Sequence, residues 1–547
     1  MRGEGVPRRF DAVVVGAGFA GLYMLYRLRE LGLSVRVLEA GDDVGGTWYW
    51  NRYPGARCDV ESILYSYSFS AELEQEWTWS ERYATQPEIL KYINHVADKF
   101  DLRRDIDFNS QLAAAEYDEH AASWQIETAD ARTYSAQFLI MATGCLSVKK
   151  LPDFPGIDTF EGELLLTASW PRGGVDLSGK RIAVIGTGST AIQAIPQFAR
   201  TAKHVTVFQR TPNFSIPAHN RELSEEERVE TKARYREIRE AQRNSSTGMV
   251  VQPGHRSIDD LTTDAANAEL EARWKAGGFG FIYAFDDAVV NPKANERIAD
   301  FVRSKIHEIV DDPDLADLLT PTEYPIGAKR LCVDIEYFET YNRPNVSLVD
   351  LRSHPIREVT TTGLCAGDRQ FDVDTIVLAL GFDAITGALL APTITGIGGQ
   401  TLGQKWSAGP LTYLGLATAG FPNLFMITGP FSPSVLSNVV VSIEQHVEWI
   451  AACIAYMRER DVQTIEATGE AERAWVDHVH ALANKTLMPA ANTWYNGANV
   501  PGKARDFMVY VGGVSRYRRR CDQVASSGYE GFDFDKRTSV NDLEHAG

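Results

Sequence analysis

Two glycine-rich turns, each placed between an apolar strand and a helix, restrict the fold of this chain most strongly. The first is G-x-G-x-x-G at residues 16–21, and the second is G-x-G-x-x-A at residues 186–191. Glycines at this spacing allow a tight turn, let the backbone approach a pyrophosphate, and let the helix pack closely on the strand. Two such turns predict an α/β fold with two Rossmann-like dinucleotide-binding domains.

The residue that ends the next strand indicates which dinucleotide each turn binds. Glu39 follows the first turn at the spacing of about 20 residues that suits a carboxylate ligand of ribose hydroxyls. The second unit has no acid there and carries Gln209, Arg210 and Thr211 instead. A guanidinium suits a 2′-phosphate, which a carboxylate would repel. We therefore predict FAD at the first turn and NADPH, in preference to NADH, at the second.

Bulk properties exclude several classes of protein. A length of 547 residues is too great for one core. The net charge of −18 argues against nucleic acid or an anionic membrane as a partner. Neither a leader peptide nor a run of about 18 apolar residues is apparent. The six cysteines are scattered without a C-x-x-C pair, which favours reduced thiols, a cytoplasmic location and no metal site.

The order of the patterns along the chain predicts that the FAD-binding domain is interrupted by the NADP-binding domain. The NADP-binding domain is in turn interrupted by a helical insertion. Charged segments with helical spacing between residues 220 and 320 indicate a helical insertion. The predicted order is the first part of the FAD-binding domain (1–148), the first part of the NADP-binding domain (149–216), the helical insertion (217–325), the second part of the NADP-binding domain (326–382), and the second part of the FAD-binding domain with a polar C-terminal tail (383–547).

Two longer motifs connect the chain to a known family. Residues 45–62, GGTWYWNRYPGARCDVES, match G-G-x-W-x-x-x-x-Y-P-G-x-x-x-D. Residues 160–171, FEGELLLTASWP, match F-x-G-x-x-x-H-x-x-x-W-P except that Leu166 stands at the histidine position. With the two glycine turns, the chain resembles the type I Baeyer–Villiger monooxygenases, and in particular their phenylacetone and steroid monooxygenase branch, from Asp11 to about Phe532.

The resemblance implies an activity and two catalytic residues. Such enzymes use NADPH, FAD and O2 to convert ketones to esters or lactones through a C4a-peroxyflavin, and we expect aryl, bulky cyclic or steroid-like ketones here. Sulfide oxidation is a possible side activity. Arg330 is expected to supply the cation that stabilises the oxygen anion, and Asp59 to hold that guanidinium in place. A monomer is expected, with a small-molecule ketone and O2 as partners.

The same resemblance implies a larger set of binding residues. The expected FAD ligands are Gly16, Gly18, Gly21, Glu39, Thr47, Trp48, Tyr49, Trp50, Asp59 and Tyr65. The expected NADP ligands are Arg57, Gly186, Thr187, Gly188, Ser189, Thr190, Gln193, Arg210, Thr211, Lys329, Arg330 and the loop residue Trp494. The expected wall of the substrate pocket is Ser434, Val435 and Leu436.

Three departures from the family pattern leave alternatives open. Leu166 replaces the signature histidine, Leu380 replaces the threonine of an A-T-G turn, and Phe431, where relatives often have glycine, is expected to reshape the pocket mouth. One alternative is a flavin monooxygenase that oxidises nitrogen or sulfur, although its usual pattern lacks Trp170 and the pair of Arg330 with Asp59. Another is an NADPH oxidase that releases H2O2 because of Leu166. A flavin-binding protein without catalytic activity is the third.

Overall fold

The structure is a computed structural model, which describes residues 7–252 and 254–536. Residues 1–6, part of the segment examined for a leader, and residues 537–547, the end of the predicted tail, lie outside the described residues. Within these ranges no helix is long and apolar enough to cross a membrane.

Strands and helices alternate along most of the chain. The strands are β1 (Arg8–Val15), β2 (Val35–Leu38), β3 (Ile106–Asp107), β4 (Leu112–Asp118), β5 (Ser123–Thr128), β6 (Thr133–Met141), β7 (Glu163–Leu166), β8 (Arg181–Ile185), β9 (His204–Gln209), β10 (Ser215–Pro217), β11 (Cys332–Asp334), β12 (Val346–Asp350), β13 (Ile356–Thr360), β14 (Gly363–Ala366), β15 (Arg369–Asp372), β16 (Thr375–Leu378), β17 (Thr393–Thr395), β18 (Leu424–Met426), β19 (Val462–Ala467) and β20 (Phe532–Lys536). The helices are α1 (Phe19–Glu30), α2 (Thr47–Trp50), α3 (Ala71–Glu76), α4 (Gln86–Lys99), α5 (Ser189–Thr201), α6 (Glu225–Asn244), α7 (Thr263–Ala276), α8 (Pro292–Ile309), α9 (Pro313–Leu319), α10 (Gly387–Leu390), α11 (Leu402–Lys405), α12 (Val439–Glu459), α13 (Gly469–Ala483) and α14 (Val514–Ser526).

The first glycine turn belongs to an eight-stranded sheet. Its order is β17-β4-β5-β6-β1-β2-β3, with β18 also paired to β6. Strand β1 lies between β2 and β6 and is parallel to both, with Ala12 opposite Val35 on one side and Phe138 on the other. Because β1 is buried on both faces, it reads as a continuous apolar run in the sequence. Its carboxyl end delivers the turn to α1.

The second glycine turn belongs to a separate sheet of five parallel strands. Its order is β12-β9-β8-β16-β7. Helix α5 follows β8 and covers one face, where Ile192, Ile195 and Phe198 are buried. The hairpins of β13, β14 and β15 contribute to an apolar cluster on the other face. The predicted α/β fold with two dinucleotide-binding units is therefore confirmed.

Helices α6 to α9 lie between β10 and β11, as the charged helical pattern predicted. Helix α6 begins at a capping box in which Ser224 and Glu227 satisfy each other's backbone N–H groups. Helices α7 and α8 share a core of their own with Phe281. Strand β11 pairs in parallel with β10, which returns the chain from the helices to the second sheet. The boundaries that we gave for the domains stay a prediction.

Candidate active site and cofactor sites

A large cavity lies at the carboxyl ends of β1 and β8, where ligands of open α/β sheets bind. Its volume is ≈ 1570 Å³. Of the residues predicted to form the site, Gly21, Tyr49, Ser434 and Leu436 do not line this cavity. The predicted residues that do line it are Gly16, Gly18, Glu39, Thr47, Trp48, Trp50, Arg57, Asp59, Tyr65, Gly186, Thr187, Gly188, Ser189, Thr190, Gln193, Arg210, Thr211, Lys329, Arg330, Val435 and Trp494.

The first turn has room for glycine alone at two of its positions. Gly16 has a φ of +104°, and a Cβ atom there would lie 2.7 Å from the carbonyl oxygen of Ala142. A Cβ atom on Gly21 would lie 1.8 Å from the carbonyl oxygen of Gly16, so Gly21 serves packing and does not face the cavity. The turn leaves the N-terminus of α1 facing the cavity. Backbone N–H groups at such an end bind phosphate oxygens, so this turn fits the FAD pyrophosphate.

Glu39 lies at the end of β2 with its carboxylate held by the turn itself. Its two oxygens accept hydrogen bonds from the backbone N–H groups of Ala17 and Gly41, both at 2.7 Å. Burial raises the pKa of this carboxyl above its ordinary value, although the backbone donors act in the opposite direction. Each carboxylate oxygen keeps a free lone pair, which suits it to accept from the hydroxyls of a ribose.

The second turn has the same form but is more open. Gly186 has a φ of +112°, and a Cβ atom there would lie 2.5 Å from the carbonyl oxygen of Ala379. A Cβ atom on Gly188 would meet nothing within 4 Å and would project into open space. The Thr187 hydroxyl donates to the Thr211 carbonyl oxygen at 2.9 Å, which ties this turn to the end of β9. A dinucleotide can therefore approach the backbone at Gly188.

Three cations lie at the β9 end of the cavity, one more than the sequence indicated. Arg210 and Lys329 were predicted, and Lys150 was not, although Lys149 and Lys150 lie in the loop that follows β6 and both line the cavity. Burial lowers the pKa of Lys150 and of Lys329, and the Arg210 charge lowers both further. Among the residues that the structure describes, none of the three forms an ion pair with a carboxylate. Such a group of cations fits a phosphate dianion.

Arg330 and Asp59 are joined on the wall of the cavity. The Nε atom of Arg330 donates to one oxygen of Asp59 at 2.7 Å, and its Nη2 atom donates to the other at 2.8 Å. The Nη1 atom donates to the Val435 carbonyl oxygen, and the guanidinium lies 4.6 Å from the centre of the Phe279 ring. Burial by itself would lower the pKa of Arg330, but the Asp59 charge outweighs it and raises the pKa above its ordinary value. The cation is therefore permanent.

The aromatic residues at 48–50 have different surroundings. Trp48 donates from Nε1 to the Tyr65 hydroxyl at 3.2 Å, and both rings line the cavity. Tyr49 instead turns away, with its hydroxyl bonded to Asp42 at 2.6 Å. Arg52 and Arg172 lie 4.6 and 5.0 Å from the centre of its ring. Arg172 is also paired with Asp42. Tyr49 therefore contributes to the contact between the two dinucleotide-binding units.

Gln193 and Arg57 also join the two units. The Tyr53 hydroxyl donates to Oε1 of Gln193 at 2.8 Å, and Nε2 of Gln193 donates to the Arg57 carbonyl oxygen at 3.1 Å. The Arg57 guanidinium is paired with Glu81 at 3.1 Å. These contacts hold helix α5 against the segment that contains Asp59.

The predicted pocket wall is a tight turn before α12. Val435 faces the cavity and accepts from Arg330, whereas Ser434 and Leu436 do not line it. The expectation that Phe431 reshapes the pocket mouth is wrong. Phe431 is fully buried away from the cavity, and its carbonyl oxygen accepts from Nε1 of Trp475 at 3.2 Å. Its φ of +67° explains why glycine also suits this position.

Leu166 and Leu380 occupy the same apolar cluster. Leu166 ends the edge strand β7, where it pairs in register with Leu378 of β16. Leu380 lies two residues beyond the end of β16 and packs against the cluster that contains Leu378. Both unusual leucines pack there against the core of the second sheet, and Leu380 also lines the cavity. Both departures from the family pattern therefore add an apolar side chain to the same apolar cluster.

Comparison with known proteins identifies the family. The family described as pyridine nucleotide-disulphide oxidoreductase matches residues 13–264. A Baeyer–Villiger monooxygenase from Pseudooceanicola batsensis is 43% identical, with 95% of each chain covered. A phenazine N-monooxygenase from Lysobacter antibioticus is 42% identical, with 96% of each chain covered. The solved structure of an oxidized steroid monooxygenase bound to NADP is 51% identical, with a TM-score of 0.93 over 97% of this chain and 100% of that one. This chain therefore belongs to the Baeyer–Villiger monooxygenase family.

Proposed function

We propose that this protein uses NADPH and O2 to convert ketones to esters or lactones on bound FAD. The observation that carries the proposal is the pair of Arg330 and Asp59 between two dinucleotide-binding turns that open into one cavity. The glycine turn at 16–21 with Glu39 is suited to hold FAD, and the turn at 186–191 with Arg210 and Lys329 is suited to hold NADPH. When bound, FAD would supply the redox chemistry that couples oxidation of NADPH to activation of O2.

Arg330 is proposed to stabilise negative charge on oxygen. A guanidinium has five N–H donors, and Asp59 and Val435 accept from three of them. Two donors remain for an anionic oxygen in the cavity. Because the pKa of Arg330 is raised, the group does not act as an acid, and its contribution is a fixed cation where charge develops.

Asp59 is proposed to orient that cation. Its two oxygens receive parallel hydrogen bonds from the guanidinium, which fixes the plane of the group as well as its position. Such a bidentate contact leaves the free donors of Arg330 pointing away from the carboxylate. The aromatic rings of Phe279 and Tyr495 lie near the cation and limit access of water.

Aryl, bulky cyclic and steroid-like ketones are the proposed substrates. The support is the 51% identity to a steroid monooxygenase, together with an apolar wall that distinguishes homologous ketones by only about 1–3 kcal/mol per methylene group. We also propose a cytoplasmic location, because the cysteines are unpaired, and a monomer, which the family resemblance implies.

Nitrogen oxidation is a second candidate function. The relative named phenazine N-monooxygenase is nearly as similar as the relative named Baeyer–Villiger monooxygenase. A single assay distinguishes the candidates. Purified FAD-loaded protein is mixed with NADPH and a ketone, a sulfide or a phenazine, and NADPH loss, H2O2 and oxygenated product are measured together. Ester equal to the NADPH consumed supports the proposal. N-oxide as the main product, or H2O2 equal to NADPH with every ketone, would contradict it.

A further inference from the structure

Lys150 connects the cation end of the cavity to the loop that carries Trp494. This loop, residues 491–505 and here called the Trp494 loop, lines the cavity through Trp494 and Asn499. The Nζ atom of Lys150 donates to the Asn499 carbonyl oxygen at 2.7 Å. The backbone N–H of Lys150 donates to the Gly381 carbonyl oxygen at 3.1 Å, so the lysine is also anchored at the end of β16.

Two residues of the Trp494 loop, Asn499 and Lys503, form three further contacts with the same segment after β16. Nδ2 of Asn499 donates to the Phe382 carbonyl oxygen at 2.7 Å. The Lys503 ammonium is paired with Asp383 and also donates to the Ala384 carbonyl oxygen at 2.8 Å. The segment 381–384 is therefore a common support for Lys150 and for the loop. A change in the hydrogen bonds of Lys150 acts directly on the position of Asn499.

Lys150 keeps hydrogen-bonding capacity for a ligand. An ammonium has three donors, and among the described residues only the Asn499 carbonyl accepts from it. The neighbouring Oδ1 of Asn499 is buried and has no hydrogen-bond partner within the described part of the chain. Arg210 and Lys329 line the same cavity, and within the described part of the chain none of the three cations forms an ion pair, although Glu323 also lines the cavity near Lys329. A phosphate dianion would relieve their mutual repulsion.

We infer that Lys150 is the third cation of the 2′-phosphate site and that it links occupancy of this site to the order of the Trp494 loop. One donor holds the Asn499 carbonyl, and another reaches the phosphate. NADP(H) therefore stabilises the loop through this lysine, whereas NAD(H), which lacks the 2′-phosphate, does not. The inference rests on the proposed binding of NADPH and extends it to how the enzyme discriminates between the two nucleotides.

The test compares Lys150→Met with Lys149→Met on FAD-loaded protein. Lys149 is exposed, and its Nζ atom lies 3.3 Å from the Ser169 hydroxyl rather than at the loop. Each variant removes one positive charge next to the same cavity, and only the first removes the bond to Asn499. The dissociation constants of NADP⁺ and NAD⁺ are measured by titration calorimetry. Amide hydrogen exchange of residues 491–505 is measured with each nucleotide at saturation.

We expect Lys150→Met to weaken NADP⁺ binding about tenfold, which corresponds to ~1.4 kcal/mol, and to change NAD⁺ binding less than about twofold. In the unaltered protein and in Lys149→Met, NADP⁺ slows exchange of the loop more than NAD⁺ does. In Lys150→Met this difference disappears. Equal effects of the two substitutions, or equal protection of the loop by NAD⁺ and NADP⁺ in the unaltered protein, would overturn the inference. If the unaltered protein binds neither nucleotide, the proposed function itself fails.

Discussion

Arg330 and Asp59 are 271 positions apart in the chain, yet two parallel hydrogen bonds of 2.7 and 2.8 Å join their side chains. Asp59 follows the Y-P-G motif of the first unit, and Arg330 directly precedes β11, beyond the helical segment. The contact therefore forms only when the two units and the helices are assembled. It places a permanent cation between the two glycine turns.

Replacement of Arg330 by alanine is expected to impair ester formation without impairing the reduction of FAD by NADPH. Reduction of FAD by NADPH continues, because the nucleotide turns are intact. Ester formation falls at least about 100-fold, the effect expected when a donor to a developing oxyanion is removed. Stopped-flow absorbance of the flavin and chromatography of the ester measure the two steps. Ester formation at the unaltered rate would contradict the role that we give to Arg330.

Asp59→Asn is the matched variant for this pair. It keeps the shape of the side chain and loses the negative charge, so Arg330 loses its orientation but not its charge. We expect ester formation to fall less than in Arg330→Ala and H2O2 to rise. An equal loss in both variants would mean that Asp59 does more than position the cation.

Arg210→Ala is expected to change the preference between nucleotides. Arg210 lies at the cation end of the cavity without a carboxylate partner among the described residues. A hydrogen bond to a charged group contributes about 1.5–3 kcal/mol, so the dissociation constant of NADPH should rise roughly 10- to 100-fold. Binding of NADH should change little. The control is Arg200→Ala, an exposed arginine on α5 that is paired with Glu336. A parallel weakening of both nucleotides would place Arg210 outside the phosphate site.

Substitutions of Leu166 and Leu380 are expected to have coupled effects on the free energy of unfolding. Leu166→His and Leu380→Thr each place a polar group in an apolar cluster at a half-buried position, which should lower the free energy of unfolding by up to about 1 kcal/mol. The double variant should lose less than the sum, because both substitutions disrupt the same apolar cluster. Chemical denaturation of all four proteins measures the coupling.

The same four proteins test whether Leu166 causes leakage of H2O2. We expect the ratio of ester to NADPH to be unchanged by Leu166→His, because Leu166 packs against the core of the second sheet and does not line the cavity that holds Arg330 and Asp59. A higher ratio in Leu166→His would show that the leucine uncouples the reaction.

Protonation of the buried Asp334 carboxyl should make the free energy of unfolding depend on pH. Its carboxyl is buried between β10 and β11, and burial raises its pKa from 3.8 to about 6, although the Ser215 hydroxyl and the Tyr337 N–H donate to it. Between pH 3.8 and 6 the folded chain binds more protons at this group than the unfolded chain. Its contribution to stability therefore falls as pH rises through this interval.

Asp334→Asn removes this titration and keeps one oxygen that can accept a hydrogen bond from Ser215 or Tyr337. Thermal unfolding of the FAD-loaded proteins at several pH values measures the effect. The Tm of the unaltered protein relative to the variant should decrease from pH 4 to pH 7. A difference in Tm that does not vary with pH would show that the buried carboxyl has an ordinary pKa.

Local patterns were sufficient for the nucleotide-binding parts of the site. A glycine at positions 16 or 186 is required by the positive φ of the turn, and this requirement is local to a few residues. Glu39 and Arg210 each follow their glycine turn after one helix and one strand. Their positions relative to the turns are therefore set by the lengths of these two local elements. For the same reason the α/β class and the helical segment were predictable.

Contacts between distant segments were not predictable in this way. Tyr49 was expected at FAD, but its ring turns toward Arg172 and Asp42, because the partner that binds it lies in the other unit. Lys150 carries no motif, and it becomes part of the site only because β16 and the Trp494 loop are adjacent to it. Phe431 was expected at the pocket mouth, and packing beneath Trp475 buries it.

The two dinucleotide turns, the nucleotide expected at each and the family could be predicted from the amino-acid sequence, because each depends on residues close together in the chain. Which side chains converge on the cavity and which turn away could not be predicted in this way, since burial and hydrogen bonding of a long side chain depend on all the segments packed around it. Arg330, held by Asp59 from one unit and by the Val435 carbonyl from another, owes its position to that packing.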